Sequence, residues 1–191
     1  MSDAPWLIVG LGNPGAEYEF TRHNVGAMCV DLLAARVAGK FSRHKRANAD
    51  VVEARLGGQR VVLAKSRGFM NESGGPVKAL AEFYKISADQ IIAIHDELDL
   101  PFAAQRFKLG GGDNGHNGLR SMRSSLGTGD FLRARLGIGR PPGRQDPADF
   151  VLRNFASAER KELPTLLERA ADAVEMLVTQ GLDKTQQQWN D

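Results

Sequence analysis

The chain has 191 residues, 42% of them hydrophobic and 25% charged, a balance that excludes a disordered tail or a long coiled coil. Its one cysteine, Cys29, cannot close an internal disulfide, so a disulfide-stapled secreted scaffold is excluded too. A formal net charge of +2 permits a polyanionic partner without requiring one. The length suits a single domain over residues 1–191 built on one core. The N-terminus opens MSDAPWLIVG, with an acidic residue and no basic leader, and no run approaches the roughly 20 apolar residues of a membrane helix. The expectation is a cytoplasmic protein with no membrane association.

In chain order, Trp6 to Val9 is a short apolar run stopped by glycine, the pattern of a buried strand. From Val25 to Ala38, apolar residues recur at helical spacing, which makes Cys29 a core residue. Asp50 to Leu56 and Gln59 to Lys65 are rich in strand formers and joined by Gly57 and Gly58, a hairpin. Val77, Leu80, Ala81 and Tyr84 mark a second helix, and Ile91 to Ile94 reads as a central strand that delivers His95, Asp96 and Glu97 to its end. Gln105 to Leu109 is strand-like, Gly110 to Gly118 a glycine-rich loop before a helix through Leu126, and Leu132 to Ile138 a strand that closes the sheet. GRPPGRQDP is a loop by its prolines and glycines, and Glu159 to Gln180 a long amphipathic helix. Alternating strands and helices with one hairpin predict an α/β fold: a twisted, mixed, largely parallel sheet with helices on both faces. Ligands of such sheets gather beyond the carboxyl ends of the strands.

GLGNPG, at residues 10–15, satisfies the G-x-G-x-x-G pattern of dinucleotide sites, but its context fails. Helical spacing starts only near Asn24, and the acid about 20 residues on, Asp31, lies inside that helix rather than at a strand end. TRHNVG places His23 just before the helix, where a lone histidine is more often a surface or capping residue than a catalyst. Its company changes the weighing. Asn13, Asn71 and Asn117 recur in glycine-flanked turns, and Asp96 ends a buried strand. Asparagine can donate and accept without adding charge, and a histidine oriented by a carboxylate is the simplest base for activating water near neutral pH. HDELDL raises a metal site, yet neighbouring residues of a strand point to opposite faces, so His95 and Asp96 cannot readily share an ion. No serine sits in a G-x-S-x-G elbow. After the central glycines, Lys108, Arg120, Arg123, Arg133, Arg135, Arg140 and Arg144 crowd together, either as a solvated surface or as a phosphate-binding face.

LIVGLGNPGAEYEFTRHNVG, FMNESG, IHDELDLP, FKLGGGDNGHNGLRS and RLGIGRP together resemble the bacterial peptidyl-tRNA hydrolase family, in order and over nearly the whole chain, with the nearest likeness to actinobacterial members. The resemblance implies hydrolysis of the ester between peptide and tRNA, with His23 as catalytic base and Asp96 as its orienting carboxylate. It implies substrate contacts from Asn13, Asn71 and Asn117, a cleft lined by Tyr18, Met70 and His116, and a tRNA phosphate held by Lys108 and Arg135. It also implies a monomer with no metal and no cofactor. A non-catalytic RNA-binding module and a metal-dependent hydrolase are the alternatives. Three features depart from the family's pattern: KSRGF before Met70, Asn114 where glycine is expected, and the ending TQQQWND.

Overall fold

In a computed structural model, which describes residues 3–191, the first apolar run forms β1 (Trp6–Gly10) in the middle of a seven-stranded sheet. Met1 and Ser2, the start of the segment read as lacking an export signal, lie outside the described residues. β1 pairs in parallel with β4 (Gln59–Ser66) on one side and β5 (Ile91–Glu97) on the other, and β5 pairs in parallel with β7 (Leu132–Gly137). Antiparallel strands flank this parallel centre. The hairpin adds β3 (Ala49–Leu56) to β4, β2 (Ser42–Arg43) follows it, and β6 (Gln105–Leu109) pairs with β7.

Side chains alternate across the strands, as a two-residue period requires. Ile8, Ile92, Ile94, Ala134 and Leu136 belong to the core packed under α1 (Val25–Arg36) and α5 (Ser157–Gln180). Leu7, Val9, Ile91 and Ala93 belong to the core under α2 (Gly74–Tyr84) and α3 (Asn117–Leu126). Helices therefore cover both faces, as expected, and Cys29 is fully buried, its thiol pushed up to about 12 by that burial.

Several expectations need correcting. The Leu132 run does not close the sheet: β7 is buried along most of its length and lies inside, while the half-exposed β6 forms the edge. α1 stops at Arg36 rather than Ala38, because Ala38 turns left-handed (φ 52°) and the Gly39 N–H bonds back to the Ala34 carbonyl. The proline-rich loop ends in a short helix, α4 (Pro147–Val151), started by Pro147 and capped by the Asp146 carboxylate, which accepts from the Ala148 N–H at 3.0 Å. The unusual C-terminus forms α6 (Leu182–Trp189) and covers the free side of β6. Asp191 exchanges bonds with Gln105 at 2.9 Å, the Asn190 side chain accepts from the Phe107 N–H at 2.7 Å, and Gln186 donates to the Phe107 carbonyl at 2.9 Å. These groups satisfy an edge that would otherwise pair with a foreign strand.

Two glycines set the geometry on which the site depends. A Cβ at Gly26 would lie 2.0 Å from the Ile94 carbonyl oxygen, and one at Gly10 2.5 Å from the Gly26 carbonyl oxygen. The first turn of α1 thus rests directly on the ends of β1 and β5, which carries the preceding 3-10 turn, Arg22–Asn24, to the end of β5. Gly26→Ala should force α1 away and cost about 1–3 kcal/mol, the usual scale of overpacking. Gly75→Ala, in α2 with nothing within 4 Å of its Cβ, should instead be neutral or stabilising by up to about 1 kcal/mol. Thermal melts of the two variants check this, and equal losses would show that close packing at Gly26 does not position the helix.

Candidate active site

Asp96 continues the alternation of Ile92 and Ile94, so its carboxylate emerges on the α1 face near the end of a fully buried strand. A buried carboxylate without donors is costly. Two histidines supply them: His23 Nδ1 lies 2.8 Å from Oδ2, and His116 Nε2 lies 2.8 Å from Oδ1. Burial alone would raise the Asp96 pKa, but the charges and hydrogen bonds of His23 and His116 outweigh it and hold the group well below the usual carboxylate range.

The same contacts fix the histidine tautomers. His116 is the N-cap of α3, and its Nδ1 accepts from the Gly118 and Leu119 N–H groups at 3.1 and 3.3 Å. Its proton therefore sits on Nε2, where it is donated to Asp96. His23 donates from Nδ1, which leaves Nε2 as the basic nitrogen of a side chain that lines the cleft. Burial lowers the His23 pKa, but the Asp96 charge and hydrogen bond outweigh that effect and leave it raised. His95 projects to the other side of β5 and donates from Nδ1 to the Asp96 carbonyl at 2.8 Å; burial holds its pKa down to about 3.

His23, Asp96 and His116 are also close enough to ligate an ion, with candidate ligand atoms within 4.8 Å of one another. This set differs from the His95, Asp96 and Glu97 raised by the sequence. The α3 cap opposes it: ligation through His116 Nε2 would move the proton of the neutral ring to Nδ1, against two backbone N–H donors. The residues present fit a hydrogen-bonded network better than a metal centre.

A cleft of about 410 Å³ opens over this network. Asn13, Tyr18, Met70, Asn71, His116 and Asn117, all singled out in the sequence, line it with His23 and Asp96. Asn13 is held by three bonds. Its N–H donates to Asn24 Oδ1 and its carbonyl accepts from Asn24 Nδ2, both at 2.9 Å, while its Oδ1 accepts from the Met70 N–H at 2.7 Å. With Oδ1 occupied, Nδ2 is the part of the amide left to donate to a ligand. One part of the lining is apolar, a wall built from Ala148, Val151 and Leu152 of α4 and its C-terminus. Among the described residues, no serine, threonine or cysteine lines the cleft.

Lys108 and Arg135 lie outside this cleft, in a neighbouring cavity shared with His95, Glu97, Asp99 and Arg133. Arg135 pairs with Glu97 at 3.0 Å, and Asp99 pairs with Arg140 at 2.6 Å. Burial, with the neighbouring charges of Arg135 and Arg133, lowers the Lys108 pKa. The sequence reading missed the part Arg133 plays. Its buried guanidinium donates to the Gly111 and Gly129 carbonyls at 2.9 and 3.0 Å and also to the Gly112 carbonyl, so it pins the glycine loop. Only its place in the basic run hinted at this.

The departures from the family pattern are accommodated. Asn114 is left-handed (φ 49°) and donates to Glu97 and Asp99 at 2.9 and 2.6 Å. Before Met70, the Ser66 hydroxyl accepts from the Gly68 N–H at 3.0 Å and Arg67 pairs with Asp50 at 2.9 Å, so a hydroxyl turn and an ion pair fix this segment.

Residues 7–191 match the sequence profile described as peptidyl-tRNA hydrolase. Among curated relatives, the peptidyl-tRNA hydrolase of Frankia alni is 61% identical over 188 residues, covering 98% of this chain and 95% of the relative. That of Nocardia farcinica is 60% identical over 187 residues, covering 98% and 97%. The crystal structure of peptidyl-tRNA hydrolase from Acinetobacter baumannii superposes with a TM-score of 0.88 at 34% identity, covering 100% of this chain and 97% of that one. A complex of a peptidyl-tRNA hydrolase with n-propanol gives a TM-score of 0.91 at 34% identity, covering 98% and 95%. Sequence and fold, each matched over nearly the full length of both partners, place the chain in the peptidyl-tRNA hydrolase family.

Proposed function

We propose that His23 is the general base with which this chain hydrolyses the ester between peptide and tRNA. The observation that carries this reading is the 2.8 Å bond from His23 Nδ1 to buried Asp96, which leaves Nε2 basic beside a cleft lined by asparagines. Nε2 takes a proton from water as the water oxygen attacks the ester carbonyl carbon. The Asn13 Nδ2–H group, its amide locked by the Met70 N–H, meets the negative charge that develops on the carbonyl oxygen. The bond to the ribose oxygen then breaks, and that oxygen receives the proton from His23. The products are a free peptide carboxyl group and a tRNA with its ribose hydroxyl restored. An ester is already activated, so neither an acyl-enzyme nor a Lewis acid is needed.

Asn71 and Asn117 bind peptide and ribose groups at the mouth of the cleft, and Tyr18 and Met70 supply its apolar floor. Lys108 and Arg135 hold a tRNA phosphate in the adjoining cationic cavity. A pure RNA-binding module would need the second cavity but not a buried carboxylate with two oriented histidines. We also read the protein as a cytoplasmic monomer. Its lone cysteine is buried, β6 is capped by its own C-terminus, and no described helix is long and apolar enough to cross a membrane.

The direct experiment follows release of free tRNA from N-acetyl-aminoacyl-tRNA by the purified protein. His23→Ala should lower kcat by about 10²-fold to 10⁴-fold with the fold retained; near-normal turnover would remove His23 from the role of base. Activity requires unprotonated His23, so its raised pKa places the acid limb of the kcat/KM profile above the ordinary histidine value. In Asp96→Asn the charge that raises this pKa is gone while burial remains, so the limb should move to lower pH; a limb that stays in place would belong to another group. For Lys108→Ala or Arg135→Ala, KM for full tRNA substrate should rise with kcat within a few-fold of the parent, and the slope of log affinity against log salt should fall by about one unit per lost contact. A short N-acetyl ester without the tRNA body should be nearly indifferent to either change, and equal damage to both substrates would place these residues at the reacting centre.

A further inference from the structure

The wall helix α4 has only five residues, too few to hold a position through its own hydrogen bonds, and Gly139 and Gly143, both at positive φ, precede it. Its place must come from tertiary contacts. Many of these lead to one side chain next to the proposed base. Arg22 is buried, with its guanidinium carbon 3.9 Å from the centre of the Phe150 ring, and Nη1 donates to the Phe150 carbonyl at 3.3 Å. Nη2 pairs at 3.0 Å with Glu159, whose same oxygen also accepts from the Ala156 N–H at the start of α5. The backbone continues the seam: the Arg22 N–H donates to the Arg153 carbonyl at 3.0 Å, and Thr21 and Asn154 form a bridge.

We infer that Arg22 is a positioning residue that sets the distance between His23 and the apolar α4 wall, and that this wall seats the side chain of the amino acid esterified to the tRNA. The inference rests on the cleft being the peptide side of the site. A cation carried on the same 3-10 turn as the proposed base, fastened to the wall by the Phe150 ring and carbonyl and braced against the start of α5 by the Glu159 carboxylate, makes wall and base one unit. A planar guanidinium satisfies all three contacts at once, whereas an ammonium keeps the ion pair and loses the stacked, forked geometry. The substrate preference assigned to this wall is for a branched apolar residue over glycine, since Ala148, Val151 and Leu152 offer contact area and no polar group.

The test compares N-acetyl-leucyl and N-acetyl-glycyl esters carried on one acceptor minihelix. The parent should show the lower KM for leucyl. Arg22→Lys and Glu159→Gln should each raise the leucyl KM by about tenfold, with less than about threefold for glycyl, because loss of apolar contacts affects the substrate that makes them. The acid limb of the pH profile should not move, since His23 and Asp96 are untouched. Glu159 lies on α5 outside the cleft, so Glu159→Gln keeps the test alive if Arg22→Lys folds poorly. Leucyl preference intact in folded variants would overturn the role of Arg22. So would a shifted acid limb or an equal fall in kcat for both esters, which would mean that Arg22 acts through His23. Val151→Ala separates the two levels: a preference that is missing in the parent, or that survives Val151→Ala, would overturn the wall as a side-chain seat and the Arg22 inference with it.

Discussion

One buried carboxylate organises the site. Asp96 lies next to the end of a strand whose seven residues are all buried, so its charge is almost wholly removed from water and must be met by donors the protein supplies. Backbone amides of the strand cannot do so, because the sheet uses them. Two histidines from opposite sides of the sheet take one oxygen each. Replacing either ring by an apolar group would strand half of a buried charge, so electrostatic need and catalytic geometry are served by the same contacts.

That arrangement converts packing into chemistry. A histidine on a surface turn samples both tautomers; His23, bonded to Asp96 through Nδ1, presents one defined basic nitrogen. His116 is constrained from both ends of its ring, by two α3 amides and by Asp96, which fixes its tautomer and orientation. Asn13 is treated likewise, its carbonyl oxygen spent on the Met70 amide so that a donor remains. The site is therefore preorganised by hydrogen bonds that are complete before substrate arrives, the condition under which fixed dipoles stabilise developing charge without reorganising.

Around this hydrogen-bonded centre the protein keeps two cavities apart. The cleft is lined by apolar side chains of α4 and by asparagine amides, while the cationic cavity shares Glu97, His95 and Asn114 with it. Separation suits a substrate with a peptide at one end and a polyanion at the other: in the roles proposed above, a phosphate held by Lys108 and Arg135 brings no added positive charge next to His23, where it would lower the histidine pKa. Asn114, left-handed and bonded to two carboxylates, forms the partition between the cavities.

Local rules in the sequence were enough for the strands, the hairpin, the main helices and the alternation that sends Asp96 toward α1, because period and turn chemistry act over a few residues. The glycines of GLGNPG and HNVG and the candidates His23, Asp96 and Asn13 were legible for the same reason, and the likeness to a family supplied their roles. What the sequence could not reveal are pairings between distant segments. These include the second bond to Asp96 from His116, 20 residues on, the Arg22 bond to Glu159 across 137 positions, and the C-terminal cover of β6 across more than 80. The short α4 wall begins at the last residue of the stretch read as loop and was not assigned an element, since five residues carry too little period to register. Such contacts leave no spacing in the chain; they exist only once the sheet fixes which loops meet at its carboxyl edge, so tertiary structure alone decided which His23 nitrogen is bonded to Asp96, which atom of the Asn13 amide is occupied and what holds the α4 wall beside them.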